Sequence, residues 1–229
     1  MKLVTFEIAT PVGPIERIGA LTDSGIVDLN ASCAAELAAK GETGRPNDIA
    51  DALVPTDMIA FLAGGALSRR AADDAVAFAI SNGNQRGTLG EQLIYQDSEV
   101  RLLAPVPRPN TLRDTLSFEG HMINFERRTG KKTPERWYQT PIYYKGNPGS
   151  VIGSDADAIW PEYTEKFDYE LEFGIVIGKE GVNISVEDAP AHIGGYTIFN
   201  DFSARDVIPG EVQMFLGPGK GKDMDSGNA

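Results

Sequence analysis

The sequence is poor in the residues that most often build redox, zinc or nucleic-acid sites. It holds one cysteine, Cys33, and two histidines, His121 and His192. A single cysteine excludes an internal disulfide and a multi-cysteine zinc site. Set among alanine and serine, Cys33 reads as a buried structural thiol. No apolar run approaches the ~20 residues of a membrane helix. The chain opens on an alternating pattern after Met1-Lys2, not on the continuous apolar segment of a signal peptide. Positive charge is scarce as well: 21 Lys and Arg stand against 33 Asp and Glu, a net charge of −12. That balance argues against a nucleic-acid surface and against docking on anionic lipid. It fits carboxylates gathered around a cation. A soluble protein of the reducing cytoplasm is the expectation. Its 229 residues allow one or two domains around a sizeable core.

Residues 1–105 read as a small N-terminal α+β domain. Met1–Phe6, Ile15–Leu21 and Gly25–Leu29 have the pattern of a strand meander. Asn30 or Ser32 is placed to cap a helix running to Lys40. Further helices are expected over Ile49–Leu53, Met58–Leu62 and Ser68–Ile80, the last ending at Asn82-Gly83. No chemical constellation lies in this part. A strand over Glu99–Leu103 leads into the proline-dense run Ala104–Asn110, which is extended chain. The boundary is drawn there, and residues 106–229 form the second domain. Alanine-rich helical runs give way in it to short β segments. A helix is expected from about Thr115 to Arg127 with Asp114 near its N-cap. Trp137–Tyr144 reads as a strand, and Val186–Ile193 as a short helix ended by Gly194-Gly195.

The most informative stretch is Phe167–Gly178. Apolar side chains at 167, 169, 171, 173, 175 and 177 alternate strictly, the pattern of a strand with one face in a core. Glu170 and Glu172 then share the other face, roughly 6.5–7 Å apart. Two carboxylates that close repel unless something positive sits between them, and a hard divalent cation is the natural neutraliser. A lone Glu-x-Glu also reads as the solvated face of a half-buried sheet. Asp201 follows a strand over Tyr196–Asn200 and adds a third carboxylate at a strand end, where functional groups tend to be presented. By itself it is equally a turn residue bonding its own backbone. Together the three offer an all-oxygen site suited to Mg²⁺, Mn²⁺ or Ca²⁺, not zinc.

At these residues the chain resembles the fumarylacetoacetate hydrolase family. The resemblance is carried by Asp168-Tyr169-Glu170-Leu171-Glu172, Gly194-Gly195-Tyr196, Asn200–Asp206 and Lys220-Gly221-Lys222, in matching order and spacing over roughly residues 100 to 229. It implies an α+β protein: the mixed β-sandwich roll of that family behind a small N-terminal α+β domain, binding Mg²⁺ (or Ca²⁺/Mn²⁺) and assembling as a homodimer. By the same match Glu170, Glu172 and Asp201 are metal ligands. Asp114, seven residues before His121, is a fourth ligand, and His121 is the catalytic histidine. Lys222 sits beside metal and substrate oxyanion, Arg205 braces the site, and Tyr144, with Tyr143 as its rival, lies near the substrate. A near-neutral pKa suits His121 to act as general base toward water; otherwise it is a helix histidine bonded to a neighbour.

The implied activity is metal-dependent hydrolysis of a C–C bond in a diketo acid of the fumarylacetoacetate or acylpyruvate kind. The alternatives are decarboxylation, isomerisation or hydration of 2-keto acids on the same fold, and a binding module without catalysis. Val207-Ile208-Pro209-Gly210 do not repeat the polar substrate-binding residues of true fumarylacetoacetases. The sequence stops at Ser226–Ala229 in mid-pattern, as a chain cut short at its C-terminus would.

Overall fold

The alternating N-terminal residues pair as a meander in the computed structural model, which describes residues 1–42, 44–82, 85–224 and 226–228. Strands β1 (Lys2–Ile8), β2 (Ile15–Thr22), β3 (Gly25–Asp28), β4 (Ile94–Tyr95) and β5 (Arg101–Leu102) form one antiparallel sheet in the order β4-β3-β2-β1-β5. Helices α1 (Leu29–Ala39), α2 (Pro46–Leu53), α3 (Met58–Ala63) and α4 (Gly65–Asn82) cover it. Ile18, Leu29, Phe61, Ala72 and Ala75 are fully or almost fully buried between these layers. The small alanines of α4 let it lie close to α1.

The cap of α1 differs from the expectation. Asp28 serves, its Oδ1 accepting from Ala31 N at 3.0 Å while the same carboxylate takes the Arg17 guanidinium at 2.8 and 2.9 Å. Asn30 instead joins α1 to α2, its amide donating to Asp51 and to the Val54 carbonyl. Ser32 is fully buried. Of the expected Asn82-Gly83 stop, Gly83 lies outside the described residues.

The second half contains β6 (Leu112–Asp114), α5 (Glu119–Thr129), β7 (Tyr144–Gly146), β8 (Val151–Ile152), β9 (Phe167–Asp168), β10 (Leu171–Ile177), β11 (Ile193–Asn200), β12 (Ser203–Ala204), α6 (Ile208–Gln213) and β13 (Ser226–Asn228). Strands β10-β11-β13-β8 form a four-stranded mixed sheet, and β12-β9 and β6-β7 are two-stranded ribbons. Mixed helix and sheet in this arrangement is the expected α+β class. Among the described residues no helix is long and apolar enough to cross a membrane.

Four local expectations are corrected. The helix after Asp114 starts only at Glu119, because Leu116 has φ 43°, outside the helical basin, and its N–H bonds Asp114 Oδ1. Trp137–Tyr144 is not a strand; its first residues belong to a 3₁₀ turn, Glu135–Tyr138. Only Ala189–His192 of the expected short helix is helical, again as a 3₁₀ turn, and Gly194-Gly195 belong to β11.

The largest correction concerns Phe167–Gly178. The run is two strands, broken at Tyr169-Glu170, where the Asn200 side chain accepts from Glu170 N and the Glu170 carbonyl accepts from Asp201 N, both at 3.1 Å. The face expected in the core is also the exposed one. Leu171, Phe173, Ile175 and Ile177 stand in solvent with their partners Ile198 and Tyr196, and Phe173 stacks on Tyr196 with ring centres 5.2 Å apart. The opposite face turns inward: Val176 packs against the cluster around Phe61 and Leu62, and Phe199 is buried. Gly178 and Gly194 lie close together beside Leu62: a Cβ on Gly178 would lie 2.7 Å from the Gly194 Cα, and one on Gly194 would lie 3.3 Å from Leu62 Cδ1.

Cys33 is only 1 % exposed, and burial pushes its thiol up to about 11, with Glu36 adding to the effect. At pH 8 about one thiol in a thousand is ionised. The native protein is therefore expected to leave a thiol reagent such as DTNB unreacted for hours and to consume one equivalent in denaturant. Prompt reaction of the native protein would contradict this packing.

Candidate metal centre

The break between β9 and β10 gathers the site. Glu170 lies in the break and Glu172 one residue into β10, on the inward face. Asp201 follows the last residue of β11, directly across from Glu170, and Asp114 ends β6. One oxygen from each of Asp114, Glu170, Glu172 and Asp201 lies within 4.8 Å of the others. Asp114, the Glu170/Glu172 pair and Asp201 are distant in sequence; pairing of β10 with β11 brings Asp201 to the two glutamates, and Asp114 comes from the separate β6-β7 ribbon.

Two cations meet the cluster. The Lys222 ammonium donates to Glu170 Oε2 and Asp201 Oδ2, each at 2.8 Å. Lys222 is 8 % exposed, a buried side chain and not the solvated lysine its Gly-rich surroundings would allow. Arg205 donates through Nη1 to Glu170 Oε1 at 2.5 Å and through Nε to Asp168 Oδ2 at 3.0 Å. Tyr144 donates its hydroxyl to Asp201 Oδ2, with the Lys222 ammonium 5.8 Å from its ring centre. Tyr143 points elsewhere: it is exposed, and its ring lies under the Arg113 guanidinium. Of the two, Tyr144 is the one whose hydroxyl reaches the cluster.

The titration of these groups follows from the charges. Burial works against ionisation of Glu170, but Lys222 and Arg205 outweigh it and hold the carboxyl below its usual range. Among the described residues Glu172 has no cation paired with it. Burial, then the charges of Asp114, Asp201 and Glu170, push it up to about 8 against a weaker pull from Lys222. Burial and the Asp201 carboxylate likewise raise the Tyr144 phenol above its usual value. Four carboxylates face two cations, one of them shared with Asp168. The cluster is left short of positive charge. All-oxygen donors and that deficit fit a hard cation such as Mg²⁺ or Ca²⁺.

His121 lies on the first turn of α5, exposed, and its ring makes no hydrogen bond among the described residues. Nor do the nearby acids engage it: Glu119 accepts from Tyr138 and Glu126 from Thr133 N. Sequence reasoning missed two contributors. Asp168 shares Arg205 with Glu170, and Asn200 holds the Glu170 backbone. Both stand in the runs that carry the family resemblance, Asp168 two residues before Glu170 and Asn200 one before Asp201, but the sequence by itself assigns neither a role.

The raised Glu172 value has a measurable consequence. Without a bound cation, Glu172 is protonated at pH 7. Its folded value lies above the ordinary value of ~4.3, so its contribution to stability is present at low pH and lost as pH rises toward 8. A cation binding there displaces the proton. Mg²⁺ is expected to raise the melting temperature more at pH 8.5 than at pH 6.5. Calorimetry in buffers of different ionisation enthalpy should show close to one proton released at pH 6.5 and none at pH 9.5, and Glu172→Gln should abolish the release. Equal stabilisation at both pH values without proton release would contradict the arrangement.

Comparison with known proteins agrees with the geometry. The model of the fumarylacetoacetate (FAA) hydrolase C-terminal domain matches residues 110–228. The oxaloacetate tautomerase YisK of Bacillus subtilis is 39% identical over 127 residues, covering 54% of this chain and 40% of that protein. The human mitochondrial oxaloacetate tautomerase FAHD2A is 27% identical over 206 residues, covering 90% of this chain and 54% of its own length. The chain thus spans about half the length of the curated relatives it matches. Among solved structures, a 5-carboxymethyl-2-hydroxymuconate delta-isomerase from Mycobacterium smegmatis superposes with a TM-score of 0.57 at 19% identity, covering all of this chain and 65% of that one. A fumarylacetoacetate hydrolase from Exiguobacterium antarcticum gives 0.55 at 20% identity, covering 98% and 63%. With more than half its length matched by the family model, and with the matching residues carrying the carboxylate cluster, the chain belongs to the fumarylacetoacetate hydrolase family.

Proposed function

We propose that this protein interconverts the keto and enol forms of a 2-keto diacid of the oxaloacetate class, with a divalent cation, Mg²⁺ foremost, at Asp114, Glu170, Glu172 and Asp201. This reading replaces C–C hydrolysis as the leading one. The observation that carries it is that curated relatives from a bacterium and from mammals alike are named oxaloacetate tautomerases. The chemistry of the cluster supports it. When bound, the cation would supply Lewis acidity to adjacent carboxylate and keto oxygens.

The chain's own residues would do the rest. As the proton leaves C3 of the keto form, negative charge develops on the C2 oxygen. The Lys222 ammonium, fixed beside Asp201, is the donor suited to that oxygen. Arg205 holds Glu170 ionised and in place. Tyr144, protonated throughout the neutral range, orients Asp201 and can turn a hydroxyl toward substrate. His121 is the candidate carrier of the C3 proton, to be returned on the enol oxygen, so that no bond between heavy atoms is broken and no water is consumed.

The test follows oxaloacetate by ultraviolet absorbance with Mg²⁺, alongside product analysis on acylpyruvates. Keto–enol exchange without pyruvate or carboxylate products is expected. Glu170→Ala should lower kcat/KM by at least about a hundredfold, ~3 kcal/mol of transition-state stabilisation. Full activity of Glu170→Ala in the presence of a chelator would overturn the metal-assisted reading. Cleavage of acylpyruvates in preference to exchange would restore the hydrolase, which the neighbour from Exiguobacterium antarcticum exemplifies by name.

A further inference from the structure

We propose that Glu211, on α6, is a positioning residue that sets the Lys222 ammonium through the backbone of the turn carrying it. One oxygen of Glu211, Oε2, accepts from Gly219 N at 2.9 Å and from Gly221 N at 3.2 Å. The two N–H groups bracket the peptide just before Lys222. Lys222 N closes the same turn on the Gly219 carbonyl at 2.9 Å. From the other side Ala204 N, fully buried in β12, donates to the Gly221 carbonyl at 2.9 Å, and Tyr163 donates to the Lys220 carbonyl at 2.7 Å. The turn is therefore clamped between a carboxylate and a buried strand.

The glycines are a requirement of this clamp. A Cβ on Gly221 would lie 2.4 Å from Ile208 Cγ1 and 3.1 Å from Glu211 Oε2, and one on Gly219 would lie 3.2 Å from Glu211 Oε1. Larger side chains would push the carboxylate off the N–H groups. Here one carboxyl oxygen fixes two donors of a single turn. The benefit falls on Lys222. A lysine stem has four rotatable carbons and loses much freedom when its ammonium is held. Fixing its Cα leaves less to be lost as the ammonium settles on Glu170 and Asp201. Small displacements of such a group are costly in rate.

The proposal rests on the reading of Lys222 given above, and the test separates the two. In the oxaloacetate assay, Glu211→Ala is expected to lower kcat about tenfold with KM within about threefold, an effect smaller than that of Lys222→Met. The double variant should be no slower than Lys222→Met alone, because Glu211 acts only through that lysine. Glu211→Gln, which keeps an acceptor oxygen, should recover most of the rate. Independently of activity, acetylation of Lys222 followed by mass spectrometry should be about tenfold faster in Glu211→Ala than in the parent, with exposed Lys145 unchanged.

Additive losses in the double variant, or unchanged labelling of Lys222, would overturn the positioning role. If Lys222→Met keeps full activity, the catalytic reading of Lys222 fails, and the labelling still decides the clamp. Should Glu211→Ala melt far below the parent, Glu211→Met, which keeps the side-chain length without the carboxylate, carries both measurements: slower turnover with faster labelling supports the clamp, and parental values for both refute it.

Discussion

Repulsion among carboxylates is the constraint on which the second half of this protein depends. Asp114, Glu170, Glu172 and Asp201 are drawn within 4.8 Å of one another in a partly buried place, where like charges raise each other's proton affinity. Lys222 and Arg205 offset part of the repulsion, and they are distributed unevenly. Glu170 touches both and is held ionised; Glu172 touches neither and is held protonated to about pH 8. A divalent cation is what would make the four equivalent.

Much of the local irregularity serves that gathering. The ladder breaks at Tyr169-Glu170 so that Glu170 can sit opposite Asp201, with Asn200 filling the lost hydrogen bond. Leu116 takes a positive φ where the chain turns away from Asp114. The Gly219–Lys222 turn folds back onto β12 to bring a cation into the cluster. These three departures lie beside the charged groups, as expected where function competes with regular pairing.

The N-terminal half contributes a core instead of chemistry. Its sheet and helices bury Ile18, Leu29 and Phe61, and the inner face of β10 leans on that core through Val176. The Arg69 guanidinium reaches the Gly194 carbonyl at 2.8 Å, a second tie to β11. The strand that carries Glu172 is thus braced on its inner face by the first half of the chain. Its outer face, with Leu171, Phe173 and Ile175, meets solvent.

By itself the sequence determined the α+β character, the identity of the acidic residues and the family. Period-two alternation is a local property, and the spacing of Glu170, Glu172, Asp201, Arg205 and Lys222 survives as a linear pattern. Local patterning does not say which face of a two-sided strand turns inward, and β10 illustrates it: Leu171, Phe173, Ile175 and Ile177 lie outside, while Val176 meets the cluster around Phe61 and Leu62. Nor does it place helix starts, since Asp114 is drawn off to the cluster and does not cap α5. The choice of Tyr144 over Tyr143, the burial of Lys222 and the clamp by Glu211 came only from the tertiary structure. Each depends on a contact across at least eight residues or on a side-chain direction, and one-dimensional periodicity encodes neither.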